Sequence, residues 1–111
     1  MERLTIIKIG GNIIEDEAQL AHFVSIFSRL DSPKILVHGG GKRASQICQK
    51  LGIEPQMVEG RRITDHATME VVTMVYAGLL NKRIVAQLQA QNCPALGLSG
   101  ADGNAILAHK R

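Results

Sequence analysis

The sequence predicts an α/β fold, a mostly parallel open sheet sandwiched by helices and here incomplete. Three observations carry that prediction. Short β-branched apolar runs alternate with helical periodicities, in the order strand, helix, strand, helix. The first two of these runs, residues 4–9 and 35–37, are each closed by glycines. The apolar content is aliphatic, with 45% of residues hydrophobic but only 3% aromatic and no Trp, so Ile, Leu, Val, Met and Ala must build the core.

The elements follow in order. Leu-Thr-Ile-Ile-Lys-Ile at 4–9 reads as a strand ended by Gly10-Gly11. A helix is expected after Asn12, with Glu15, Asp16 and Glu17 in its first turn and an inward stripe of Leu20, Phe23, Val24, Phe27 and Leu30. Asp31-Ser32-Pro33 ends it. Ile35-Leu36-Val37 is the central strand, followed by His38, Gly39-Gly40-Gly41 and a helix to about Leu51. That helix turns Ala44, Ile47, Cys48 and Leu51 inward, and Gly52 caps it. A short strand is expected over 56–59, then a connecting turn at Gly60-Arg61-Arg62. Thr64 or Asp65 caps the next helix, whose Met69, Val71, Val72, Met74, Val75, Tyr76, Leu79 and Leu80 cover every face. A helix apolar all round is buried on all sides or packs on another subunit; the second is expected here, giving a homodimer through residues 69–80. Gly78 is a candidate kink, and Asn81-Lys82 restarts the helix to about Gln91. Strands are expected at 95–98 and 105–108, around a tight turn over 99–104.

The chemistry concentrates at the strand ends. In parallel sheets ligands bind off the carboxyl ends of strands, where Lys8-Ile9-Gly10-Gly11 and His38-Gly39-Gly40-Gly41 both lie. Glycine lets an anion touch backbone N–H groups directly, and Lys8, costly on a buried strand, is best placed against that anion. Gly39–Gly41 is not a Walker A loop: Leu36 stands where its first glycine belongs, and Arg43 where Ser or Thr belongs. Arg61-Arg62 reads either as a solvated turn or as a guanidinium fork for a carboxylate. His38 reads as a structural hydrogen-bonding residue in preference to a general base.

Composition narrows the alternatives. The net charge of +3 invites a nucleic-acid reading, but the basic residues are scattered and no aromatic platform accompanies them. Cys48 and Cys93 lack metal-ligand spacing, and two thiols point to a reducing compartment. Cys48 is expected to be a buried, inert thiol. Met1-Glu2-Arg3 runs straight into an apolar strand without signal-peptide character, and no apolar run approaches the ~20 residues that span a bilayer. A cytoplasmic protein without nucleic-acid or membrane partners is expected.

Taken together, the motifs resemble those of the amino acid kinase family. The matching pieces are Ile7-Lys8-Ile9-Gly10-Gly11, Val37-His38-Gly39-Gly40-Gly41, Gly60-Arg61-Arg62-Ile63-Thr64-Asp65, Met69-Glu70-Val71-Val72, Ala77-Gly78 through Asn81-Lys82, and Gly97-Leu98-Ser99-Gly100-Ala101-Asp102-Gly103-Asn104. Arg62-Ile63-Thr64 and Gly100-Ala101-Asp102-Gly103-Asn104 narrow the likeness to the branch acting on N-acylated glutamate.

The resemblance implies a carbamate-kinase-like α/β/α fold and phosphoryl transfer from ATP, with Mg as counter-ion, to the side-chain carboxylate of N-acetylglutamate in arginine biosynthesis. Lys8 would neutralise the transferred phosphoryl group, and Gly10 and Gly11 would hold its oxygens. Gly40 and Gly41 would hold the acceptor's side-chain carboxylate, and Arg62 its α-carboxylate. No general base is needed, because the attacking carboxylate is already ionised at neutral pH.

Family members are roughly twice this length, so residues 1–111 are expected to be the amino-terminal, acceptor-binding lobe, with the nucleotide-binding lobe absent and no turnover by the chain alone. Lack of the extra N-terminal helix of hexameric relatives gives the expectation of an arginine-insensitive dimer. The competing readings are a non-catalytic anion-binding or dimerisation module of the same fold, and a succinylglutamate, carbamate or glutamate 5-kinase.

Overall fold

The computed structural model describes residues 3–110, apart from the side chains of Arg61 and Arg62. Its centre is a parallel ladder of β1 (Thr5–Ile9) and β2 (Lys34–His38), in register from Thr5 opposite Lys34 to Ile9 opposite His38. This is the parallel sheet of an α/β fold. Alternation along the strands turns Ile7, Ile9 and Leu36 toward the core and leaves Ile6, Ile35 and Val37 exposed on the other face.

The stretch expected to be one helix is two. α1 (Gly11–Glu15) stops at Asp16, whose backbone is extended and whose carboxylate accepts the N–H groups of Ala18 and Gln19 to start α2 (Glu17–Ser28). Asp competes with helical hydrogen bonding through its own side chain, so it serves better as a cap than inside a first turn. The inward stripe holds: Leu20, Val24 and Phe27 are buried, with Phe23 and Leu30 packed beside them. At the other end, the Lys34 ammonium caps the carbonyls of Phe27, Ser28 and Leu30 at 2.8, 3.2 and 2.7 Å, tying α2 to β2.

α3 (Arg43–Lys50) buries Ala44 and Cys48. Gly52 at φ +73° donates to Gln49 O and Ile53 to Cys48 O, the paired bonds of a Schellman cap. Leu51, expected inward, is exposed because it already lies in the cap, past the last turn that presents a face to the core.

β3 (Gln56–Val58) and β4 (Arg61–Ile63) form an antiparallel hairpin where sequence reading expected one strand and a loop. Its two turn residues, Glu59 and Gly60, both have positive φ, as a two-residue turn of the I′ kind requires.

α4 (His66–Val72) is capped by Asp65, which accepts the Thr68 N–H at 2.8 Å. It runs on through a π-helical segment (Thr73–Leu80) into α5 (Asn81–Ala90). Gly78 therefore lies inside widened helix and makes no break. Val71, Val75, Leu80, Ile84 and Leu88 are buried, with α4 and the π-helical segment packed on α3 and α5 packed on α2, while Met69, Met74 and Leu79 are exposed.

Residues 95–98 and 105–108 are not strands. Neither finds a ladder partner among the described residues, and Leu96 and Leu107 stand 90% and 82% exposed. An extended segment without a paired neighbour leaves its backbone groups to water. The turn between them is as expected, a 3-10 turn (Asp102–Asn104) held by the Asp102 carboxylate on Ser99.

Candidate anion-binding site

The two glycine turns meet. A Cβ on Gly11 would lie 2.9 Å from Gly41 Cα, so the start of α1 and the loop after β2 touch backbone to backbone. Parallel pairing causes this: Ile9 and His38 are in register, so the next residues of both strands emerge side by side.

Each peptide of the loop is pinned from behind. Gly39 O takes a hydrogen bond from the His38 ring at 2.8 Å, and Gly40 O one from Arg43 N–H at 3.3 Å. Lys42 N–H donates to Glu15 Oε1 at 2.6 Å. The N–H groups of Gly40 and Gly41 donate to no other described residue. Gly40 is buried under Tyr76, whose ring occupies the space a Cβ would need. A buried amide such as that of Gly40 rarely goes without an acceptor, and with the exposed Gly41 amide next to it the loop offers two adjacent donors to a carboxylate or phosphate oxygen.

A cavity of about 880 Å³ opens beside this loop, between α3 and α4. Gly41, Ala44, Pro55, Thr64, Met69 and Tyr76 are among its walls, so an oxygen held at Gly41 has room behind it for an apolar-bodied organic acid.

Of the expected site residues, Gly11, Gly40 and Gly41 come together. Gly10 is the N-cap of α1, one residue from the contact. Lys8 sits opposite Val37, exposed and without an ion pair to any described residue; it does not line the cavity. Arg62 lies in β4, two residues before the cavity residue Thr64, and its side chain falls outside the described part.

Sequence reading missed three participants. Glu15 belongs to the loop's framework although 27 residues separate it from Lys42. Tyr76 shields Gly40 rather than joining a uniform apolar surface. Asn81 is buried and bonded to the His38 ring at 3.1 Å. The adjacent Asn81-Lys82 was the only signal for the last; the others are long-range contacts with no local pattern.

Two carboxylates carry perturbed titration. Asp65 is held below the usual carboxylate range by hydrogen bonds from the Thr68 side chain and backbone. Asp102 is held down by the Ser99 N–H and hydroxyl. Asp65 caps α4 and Asp102 holds the turn at Ser99; neither is a member of the glycine loop. Among the described residues no group of His, Cys, Asp and Glu could hold a metal ion, and no helix is long and apolar enough to cross a membrane.

A model of the amino acid kinase family matches residues 3–111. The chain belongs to the amino acid kinase family. Its relatives include proteins named acetylglutamate kinase from Cytophaga hutchinsonii, 58% identical over all of this chain and 42% of the relative, and from Bacteroides thetaiotaomicron, 56% identical over 99% and 43%. One from Methanopyrus kandleri is 44% identical over 97% of this chain and 41% of the relative. The chain thus spans about two-fifths of the length of these family members. Among solved structures, the smu.665 protein of Streptococcus mutans superposes with a TM-score of 0.64 at 20% identity, over 83% of this chain and 38% of the other. An N-acetylglutamate synthase from Neisseria gonorrhoeae superposes at 0.51 and 20%, over 86% and 22%. At that identity the likeness is one of fold.

Proposed function

We propose that residues 1–111 are the acceptor-binding lobe of an amino acid kinase that phosphorylates the side-chain carboxylate of N-acetyl-L-glutamate, in the cytoplasmic biosynthesis of arginine. The observation that carries this reading is the amide pair of Gly40 and Gly41, without an acceptor among the described residues, at the meeting point of two glycine turns and beside a cavity of about 880 Å³. The names of the relatives favour acetylglutamate over succinylglutamate, carbamate or glutamate as acceptor.

In this reading Gly40 and Gly41 donate to the acceptor's reactive carboxylate, and Arg62 pairs with its α-carboxylate from the hairpin beside Thr64. ATP supplies the phosphoryl group, with Mg²⁺ as its counter-ion. Gly10 and Gly11 face that group from the opposite turn, and Lys8, uncommitted to any described carboxylate, neutralises its charge. A loose phosphoryl-transfer transition state asks for positioning and positive charge rather than a covalent partner, and these residues are of that kind.

The test is a titration of the ¹⁵N-labelled chain with N-acetyl-L-glutamate. The Gly40 and Gly41 amides should be among the most strongly shifted. If they stay still while the ligand is in large excess, the assignment is wrong. With ATP and Mg²⁺ added, the 111-residue chain should form no acyl phosphate; sustained turnover would contradict its description as an acceptor lobe.

Met69 and Met74, 50% and 58% exposed on one continuous helix, support a homodimer through residues 69–80.

A further inference from the structure

Behind the loop lies a chain of polar contacts that the roles above do not use. Gly39 O can only accept, so the 2.8 Å contact with His38 Nδ1 requires a proton on Nδ1. On the other side of the ring, Asn81 Nδ2 approaches His38 Nε2 at 3.1 Å. The Asn81 amide is oriented by its remaining partners. Its Oδ1 accepts from the Lys82 ammonium at 3.1 Å, and Lys82 also reaches Gly97 O at 3.0 Å. Nδ2 therefore donates, and Nε2 must be the bare acceptor. Asn81 is buried, and a Cβ on Gly97 would overlap its amide, so it has little room to turn. The network specifies a neutral imidazole with its proton on Nδ1.

That proton has a geometric consequence. In a trans peptide the C=O and the following N–H point in opposite directions, and no described peptide is cis. Holding Gly39 O toward His38 aims the N–H of Gly40 the other way. We infer that His38, kept in its Nδ1–H form by Asn81 and Lys82, is a positioning residue that fixes the direction of the Gly40 amide on which an acceptor carboxylate is bound. The inference rests on the acceptor-site reading above. His38 touches no reacting atom; it removes the freedom of a glycine peptide to flip, which is otherwise large.

Three measurements test it. In the free chain, long-range ¹H–¹⁵N spectra should show a protonated Nδ1 and a bare Nε2 on His38. The opposite tautomer would overturn the inference whatever the ligand. In N-acetyl-L-glutamate titrations, His38→Asn, whose amide can reach Gly39 O from the Nδ1 position, should retain affinity within about threefold of the wild-type chain. His38→Gln, which places its amide toward Asn81 and leaves the Nδ1 position empty, should bind about tenfold more weakly, the loss of one partly buried hydrogen bond. A purely structural role would not separate the two variants. Equal binding by both, with wild-type binding intact, would overturn the positioning role alone. Failure of the wild-type chain to bind N-acetyl-L-glutamate would instead overturn the acceptor-site reading, and this inference with it.

Discussion

Gly40 and Gly41 stand side by side, yet each excludes a side chain for its own reason. Gly41 has φ of +57°, a conformation costly for other residues, and its missing Cβ faces the Glu15 carboxylate. Gly40 has no such backbone demand; there the Tyr76 ring fills the space. Gly40→Ala should therefore destabilise the chain by roughly 1–3 kcal/mol through overpacking. Tyr76→Ala in the same chain should recover part of that loss, as denaturant melts of the double-mutant cycle would reveal. Additive losses would mean the ring moves aside freely. Glu15 serves the same loop electrostatically, its carboxylate on the Lys42 N–H at the start of α3. Glu15→Ala should speed hydrogen exchange at the Lys42 amide by about fivefold or more, corresponding to the ~1 kcal/mol of an exposed charge-assisted bond. An unchanged rate would show that the bond does not hold the loop.

At the scale of elements, caps decide where helices begin. Asp16 divides α1 from α2, and in doing so ends α1 at Glu15, within reach of Lys42. Asp65 starts α4 one residue after Thr64, fixing the cavity wall on that side. The Asp65 carboxyl ionises at lower pH in the folded chain than in the unfolded one. Its contribution is therefore present above the ordinary carboxylate range and is lost as pH falls through the depressed value. Asp65→Asn, which can cap without titrating, should flatten the acid limb of the thermal midpoint against pH, whereas Asp65→Ala should lower the midpoint at neutral pH. An acid limb identical in Asp65→Asn and the parent would assign the pH dependence elsewhere. The π-helical segment matters for a similar positional reason: it carries Val75 and Leu80 inward while setting Tyr76 over Gly40. Widened turns often occur where a helix must place a side chain that regular spacing would misdirect.

At the scale of the molecule, the chain is more extended than its length requires. Its radius of gyration is 15.7 Å, against about 13 Å for a compact domain of this size. Ile6, Ile35 and Val37 lie open on one face of the ladder, and Met69 and Met74 on the long helix. Light scattering should give a dimer mass for the chain, and Met74→Lys should shift it toward monomer by placing a charge on the apolar helix face. A clean monomer for the parent at tens of micromolar would rule out the helix as an interface.

Much of this was legible in the chain itself. Ile7, Ile9, Leu20, Val24 and Phe27 are where periodicity puts them, because strand and helix repeats are local and burial follows from them. The meeting of the two glycine turns was legible too, since glycines closing two parallel strands must lie at the same end of the sheet. What local pattern cannot carry is a contact across the chain. Glu15 on Lys42, Tyr76 on Gly40 and Asn81 on His38 join residues 27 to 43 positions apart, and each depends on how whole elements pack. Residues 95–98 and 105–108 fail as strands for the same reason, because β structure needs a partner that sequence does not name. The amino acids alone determined the first two strands, the apolar stripes of the helices, the fold class and the meeting of the glycine turns; only the tertiary packing decided which extended segments pair and which side chains orient the loop's amides, because strand partners and hydrogen-bond direction are set by neighbours in space.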